Sequence, residues 1–151
     1  PALASFAAIC AYLLANGLIT GRVEQLTAQA VQKQHKIMPT LVVANPVPVQ
    51  FWKREMLWRD DRYYGQGTYT PFHGARIDDD IRAHYMGRED AKAFETHIVR
   101  GSPLLFWSRM PVAEIVGKGT ERTLKVSDQR FSNPLVGDRF SMFFPIGVES
   151  K

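Results

Sequence analysis

The sequence predicts an α+β protein: a long N-terminal helix, then an antiparallel β-sheet with two or three short helices inserted. Three observations support this fold class. Residues 2–19 carry no charge, residues 22–38 keep helical spacing, and from Thr40 onward short β-branched and aromatic runs alternate with turn residues. Helices and strands that are segregated in this way along a chain favour an α+β fold.

The first segment, ALASFAAICAYLLANGLI, has Ser5 and Asn16 as its only clearly polar side chains. A helix without a polar face is not a surface helix, and roughly 18 residues is the lower limit for a membrane span. Because the chain begins at Pro1 rather than Met, we expect a piece of a membrane protein whose last spanning helix enters here. The alternatives are a buried helix of a soluble core and a signal peptide, although no basic region precedes it.

The predicted organisation has three parts: the end of a transmembrane-like helix (1–21), an amphipathic helical connector (22–38) and a soluble α+β domain (39–151). In the connector, Val23, Leu26 and Ala30 form one apolar stripe. Gly17 and Gly21 weaken the helix at the junction, which predicts a bend or boundary there. Basic residues outnumber acidic ones after Ile19, which favours a cytoplasmic position for the domain.

In the domain, a strand over residues 49–58 and a second over 62–70 are predicted to form a hairpin. Gly65 and Gly67 in the return strand indicate a bulge or a close backbone approach. Phe72 to Arg76 is predicted to be loop. The inserted helices are placed at Asp78–Tyr85 with an aspartate cap, at 89–99, and from Ser102-Pro103 onward. The remaining predicted strands are 40–44, 112–116, 120–127 and 139–144.

Composition restricts the function. The 151 residues carry a formal net charge of +4, and the basic residues are interspersed with acidic ones, so nucleic-acid binding is not expected. The single cysteine, Cys10, excludes an intrachain disulfide. Excised from lipid, the apolar helix should pack on the sheet or on a second copy, which predicts a homo-oligomer.

One polar cluster has side chains of the kind that bind metals: His73, Asp78, Asp80 and His84. On a helix, Asp80 and His84 would share a face at i,i+4 spacing, and carboxylate with imidazole suits zinc, manganese or iron. A capped surface helix with solvated acids explains the same residues more simply. No metal ligand is therefore assigned, with His73, Asp80 and His84 retained as weak candidates.

A second constellation combines arginine with tryptophan. Arginine can stack on indole rings and bind phosphate or carboxylate bidentately, which predicts an anionic ligand or lipid headgroup. Core packing is the alternative, with an ion pair between Arg109 and Asp128 that joins a helix to a strand. The candidate ligand-binding residues are Trp52, Arg54, Trp107, Arg109, Asp128 and Arg130.

Three motifs occur in order: Asn45-Pro46-x-Pro48, Trp107-Ser108-Arg109-x-Pro111 and Ser127-Asp128-x-Arg130-Phe131. Together they resemble the C-terminal region of the bacterial inner-membrane, membrane-bound metal-dependent hydrolases. The resemblance implies a soluble tail behind several spanning helices, with a divalent metal held by His and Asp residues of the N-terminal membrane half. None of those metal motifs matches this chain, so no catalytic residue and no cofactor is carried over to it.

The predicted function is that of a non-catalytic accessory domain of such a hydrolase, at the bacterial inner membrane. The alternative is a protein- or ligand-binding module unrelated to hydrolysis. A third interpretation is a self-contained enzyme that uses His73, Asp80 and His84. The expected partners are the membrane, through the N-terminal helix, and a second copy of the chain.

Overall fold

A computed structural model of the chain describes residues 1–47, 50, 52–85, 106–117, 122–131 and 137–145. One long helix is followed by two antiparallel sheets, which confirms the α+β class. The elements are helix α1 (Ala2–His35), strands β1 (Leu41–Pro46), β2 (Arg54–Arg59), β3 (Tyr63–Thr70), β4 (Gly74–Ala83), β5 (Pro111–Val116), β6 (Thr123–Asp128) and β7 (Ser141–Pro145), and a 3-10 helix (Gln129–Phe131).

Helix α1 is continuous over 34 residues and passes through Gly17 and Gly21 without ending. It ends at His35, where Lys36 takes the left-handed conformation (φ 60°) and donates its N–H to the Gln32 carbonyl.

The buried positions of α1 are Val23, Thr27 and Val31, a stripe at i,i+4 spacing that faces the first sheet. The apolar window of the helix is not buried against the protein at all. Of the two predicted arrangements, packing of this segment on the sheet is therefore wrong, and packing on a second copy stays a prediction.

The first sheet has the strand order β1-β2-β3-β4, with each strand antiparallel to the next. Its two faces differ because side chains alternate along each strand. Met56 and Trp58 of β2 pack with α1, whereas Leu57 packs with Met110 on the other face.

The predicted hairpin of β2 and β3 is confirmed, and the register shifts between Gly65 and Gly67 as the glycines predicted. Both positions are glycine because neighbouring atoms approach the backbone too closely for a side chain. A Cβ atom at Gly65 would lie 2.6 Å from the Trp58 ring, and one at Gly67 would lie 2.6 Å from the Arg76 carbonyl oxygen.

The helix predicted at Asp78–Tyr85 is wrong, because these aspartates lie within β4, which pairs with β3 and begins at Gly74, inside the predicted loop. The aspartates suggested a helix cap, but Ile77 and Ile81 pack towards α1 in the strand, so pairing with β3 and burial on α1 outweigh local preference. The helix predicted at 89–99 lies outside the described residues, and the one predicted from Ser102 begins outside them.

The second sheet has the order β5-β6-β7, and its core contains Ala113, Leu124 and Val126. Several hydrogen bonds join the second sheet and the 3-10 helix after it to the first sheet and its continuation. Tyr85 N–H donates to the Ala113 carbonyl at 3.0 Å, and the Gln129 side-chain amide donates to the Gly65 carbonyl at 2.9 Å. The first sheet therefore lies between α1 and the second sheet.

Candidate functional site

A cleft of about 220 Å³ opens between the two sheets. Tyr64, Gln66 and Arg82 supply one wall from β3 and β4, on the face opposite α1. The other wall comes from β5, β6 and the residues that follow them. Its polar members are Glu114, Lys125, Ser127, Asp128, Gln129, Asp138 and Ser141.

The centre of the cleft is a contact between the sheets, in which the Tyr64 hydroxyl donates a hydrogen bond to Glu114 Oε1. Burial raises the pKa of the Tyr64 phenol, and the hydrogen bond to Glu114 raises it further, so Tyr64 stays a proton donor. The hydrogen bond with Tyr64 in turn raises the pKa of Arg82. At the margin, Lys125 Nζ lies 2.6 Å from Asp138 Oδ1. The cleft thus presents both signs of charge on fixed strands.

Asp128 is a buried carboxylate that joins two of the sequence motifs. It accepts hydrogen bonds from the Ser108 hydroxyl at 2.9 Å and from the Arg109 backbone N–H at 3.2 Å. Arg130 NH2 lies 2.6 Å from its Oδ2. Burial acts to raise the pKa of Asp128, but the hydrogen bonds from Arg130 and Ser108 outweigh it and hold that pKa below its usual value. The acid–arginine pair is therefore formed by Arg130, and Arg109 contributes its backbone rather than the predicted ion pair.

An aromatic cluster borders this carboxylate. Phe131 and Phe140 stack with ring centroids 4.6 Å apart, and Trp107 meets each of them edge-on at 5.8 Å. The Arg130 guanidinium lies 5.2 Å from the Phe131 ring centre. Trp107 and Arg130, predicted as one site from sequence, therefore lie in one cluster whose phenylalanines line the cleft.

The other two predicted ligand-binding residues lie elsewhere. Arg54 is buried on the α1 side of the first sheet, where it donates to Asn16 Oδ1 at 2.9 Å and to the Lys53 carbonyl at 3.1 Å. Trp52 is half-exposed in the loop before β2. The predicted set thus divides, with Trp107, Arg109, Asp128 and Arg130 in one cluster and Trp52 and Arg54 at the start of β2.

His84 is buried where β4 meets the second sheet. Its Nδ1 accepts the Ala113 N–H at 3.3 Å, and its Nε2 lies 2.9 Å from the Arg59 guanidinium. Burial lowers the pKa of His84 to about 4, and the charge of Arg59 acts in the same direction. Burial also lowers the pKa of Arg59. The histidine is therefore neutral at physiological pH and joins the sheets.

The weak metal candidates do not converge. His73 contacts Thr70 in the β3–β4 turn, Asp80 is exposed beside Arg82, and His84 is buried beyond the far end of β4. In the described part of the chain, no three His, Cys, Asp or Glu side chains are grouped so as to hold a metal ion. These residues do not fit a metal site.

Sequence reasoning missed Tyr64 and Glu114 as partners. The available signal was the polar alternation of Tyr64, Gln66 and Thr68 opposite the two glycines, which marks one face of β3 as hydrated or ligand-facing.

Fold and site define a class of protein: an α+β domain carried on a helix that is long and apolar enough to cross a membrane. No protein-family model, no curated protein and no solved structure matches the chain.

Proposed function

We propose that this chain is a membrane-anchored accessory domain, in which residues 2–19 lie in the bilayer and the two sheets lie at its surface. One observation carries the proposal: the large apolar side chains of this helical half face away from the protein. Leu3 is 82% exposed, Leu14 69% and Leu18 76%. Exposed apolar area is unfavourable in water by about 25 cal/mol per Å², and lipid removes that penalty.

The same helix holds the domain in place. Val23 and Val31 pack the second half of α1 on the first sheet, so one continuous helix joins the domain to the membrane segment. The resemblance described above supports the further proposal that the parent is a bacterial inner-membrane, metal-dependent hydrolase. In that case the chemistry belongs to the membrane half, and this domain is non-catalytic. The basic Arg22, Lys33 and Lys36 favour its placement on the cytoplasmic side.

The anchoring is tested with a double variant, Ile9→Lys with Leu13→Lys, in the full chain expressed in bacteria. Both side chains are exposed, so the folded domain should be unaffected. Each lysine near the centre of a span costs about 2.5–3.5 kcal/mol of insertion free energy. We expect the double variant to leave the membrane fraction, whereas the parent chain resists alkaline extraction.

The matched control is Gln25→Lys with Gln29→Lys, which adds the same charge at exposed positions of the domain half. This control should stay in the membrane. A double variant at positions 9 and 13 that still fractionates with membranes would contradict the anchoring.

The hydrolase proposal is tested by elemental analysis of the purified chain and of the full-length parent. Metal in the parent alone supports an accessory role for this domain. Stoichiometric metal in the chain itself, lost on His84→Ala, would overturn it. Normal activity of the parent after deletion of residues 40–151 would favour a module unrelated to hydrolysis.

A second candidate function is binding of a small polar ligand in the cleft, favoured by the juxtaposition of Arg82, Glu114 and Lys125. Opposite charges on facing walls suit a zwitterion better than a simple anion. Calorimetry with free amino acids and, separately, with inorganic phosphate tests this. Glu114→Gln should abolish amino-acid binding, and Asp79→Asn, whose carboxylate contacts Gln34 on α1, should preserve it.

A further inference from the structure

We propose that the end of the first sheet nearest the apolar half of α1 is a second membrane contact, which lies in the headgroup layer. The contact consists of Trp52, Lys53, Phe72 and His73, and we call it the aromatic rim. This inference rests on the proposed anchoring, because it needs α1 to enter the bilayer.

The strand register places the rim beside the apolar helix. Arg54, at the start of β2, reaches Asn16 within the apolar segment. It pairs with Pro46 on one side and with Tyr69 on the other, and Thr70 pairs with Gly74. The β1–β2 loop and the β3–β4 turn therefore lie at this same end of the sheet.

The rim also extends past the point where the sheet meets the helix. At about 3.3 Å per strand residue, the tip of the β3–β4 turn lies up to about 10 Å beyond Tyr69. In the proposed arrangement, this turn lies at the level of the lipid that surrounds the helix on the N-terminal side of Asn16.

The β3–β4 turn is held in one conformation. The His73 N–H donates to the Thr70 carbonyl at 3.2 Å, the Thr70 hydroxyl lies 3.1 Å from His73 Nδ1, and Gly74 follows with φ 70°. Phe72 occupies the third turn position and is 93% exposed. Asparagine, aspartate or glycine is usual at such tips, whereas Phe72 presents a large apolar side chain there.

The neighbouring loop repeats this arrangement. The Lys53 N–H donates to the Gln50 carbonyl at 2.8 Å, which closes a turn with Trp52 in the third position. The Trp52 side chain is 46% exposed. Tryptophan is enriched at membrane–water interfaces, because its ring is apolar and its N–H is polar.

Two basic side chains lie towards the rim. Lys53 belongs to it, and the exposed Arg76 follows two residues after Gly74, at the same register as the exposed Glu55. An anionic leaflet attracts juxtamembrane cations by about 1 kcal/mol each.

A lipid surface is the occupant that these observations favour over a second copy of the chain. The membrane-length helix leaves the domain on this side, so a bilayer that holds the helix is already adjacent to the rim. A partner protein would have to displace those lipids.

The test uses the full chain in vesicles of mixed phosphatidylcholine and phosphatidylglycerol, with a nitroxide on a single cysteine. Collision with oxygen reports lipid, and collision with a water-soluble nickel complex reports water. Native Cys10 reports the helix, and Phe72→Cys in a Cys10→Ser background reports the rim. The matched control, Met38→Cys in the same background, is an apolar residue that is 63% exposed after the C-terminal end of α1.

We expect the labels at positions 10 and 72 to collide with oxygen and to lose most nickel collisions relative to the label at position 38. Lipid exposure at position 10 with water exposure at position 72 would overturn the rim and leave the anchoring intact. Water exposure at position 10 would overturn the anchoring itself. If the label at position 72 is protected from both reagents, a protein surface rather than lipid covers it, and the proposal is overturned.

Discussion

The two halves of helix α1 share one backbone but differ in their surroundings. In residues 2–19 apolar side chains occupy every side of the helix, and none of this window is buried in the protein. In residues 22–35 the apolar contacts narrow to a stripe of Val23, Thr27 and Val31, and that stripe is fully buried on the sheet. The difference teaches that the width of an apolar face, rather than helix propensity, reports the partner of a helix.

The junction between the halves is polar on both sides. Asn16 accepts a hydrogen bond from the buried Arg54, and about two turns later Glu24 accepts the Ala44 N–H at 3.3 Å. These contacts orient the domain on the helix at the level where the proposed bilayer ends. Substitutions made in parallel in the two halves test whether their surroundings differ in this way.

The largest effect is expected from Trp58→Ala, which empties the core between α1 and the sheet. Trp58 is fully buried, and the substitution should lower the free energy of unfolding by about 3–5 kcal/mol. Phe6→Ala in the apolar half should change it by less than about 0.5 kcal/mol. Urea denaturation of the full chain in detergent, followed by circular dichroism, measures both. Equal losses would mean that the apolar half packs on the domain after all.

Asp128→Asn tests whether a buried charge stabilises the domain. The apolar half of α1 has no such charge. The substitution weakens the hydrogen bonds from Arg130 and should cost about 1.5–3 kcal/mol of unfolding free energy. Asp80→Asn is the matched control, because its contact with Arg82 is exposed and worth about 0.2–1 kcal/mol. A loss at position 128 no larger than the one at position 80 would show that the network does not stabilise the fold.

Gly65→Ala should destabilise the domain by about 1–3 kcal/mol, because the new methyl group meets the Trp58 ring within a packed interface. Gly17→Ala is the corresponding change in the apolar half, where an added Cβ meets nothing within 4 Å. It should leave the domain unchanged or strengthen the helix slightly. Thermal unfolding of both variants in detergent checks the contrast. Tolerance of alanine at position 65 would mean that Trp58 moves aside freely.

At neutral pH the smallest effect is expected from the titration of His84, because it changes stability only in acid. Its folded pKa of about 4 lies below the ordinary value of 6.5, so the unfolded chain binds more protons between these values. Stability from this residue is therefore present above about pH 6.5 and is lost as the pH falls towards 4. His84→Gln should make the unfolding midpoint less dependent on pH over that window. If the unfolding midpoint of this variant changes with pH as steeply as that of the parent chain, other groups cause the pH dependence.

Much of the fold follows from local pattern. The helical spacing to His35, the β2–β3 hairpin and the irregularity at Gly65 and Gly67 are all predictable, because neighbouring residues determine them. The β4 strand is not, since three consecutive aspartates resemble a helix cap until β3 is beside them. The Phe72 turn was predicted as loop, but the residues alone do not show which end of the sheet it shares with α1.

The candidate site likewise has a part that local sequence pattern predicts and a part that it does not. The two motifs that Asp128 joins predicted Trp107, Asp128 and Arg130 as members of one site, but the same prediction included Trp52 and Arg54, which lie elsewhere. The cleft was not, because Tyr64 and Glu114 are 50 residues apart in sequence and meet only when the two sheets pack.

Local sequence pattern is enough to predict an uncharged helix of membrane length, followed by an antiparallel α+β domain. Both properties depend on periodicity over a few residues, which hydration and steric preference impose locally. Tertiary packing alone determines that Arg130 rather than Arg109 neutralises Asp128, that His84 is held neutral between two sheets, and that two aromatic turns lie at the same end of the first sheet. Those outcomes depend on strand register and packing between distant segments, which no local pattern specifies.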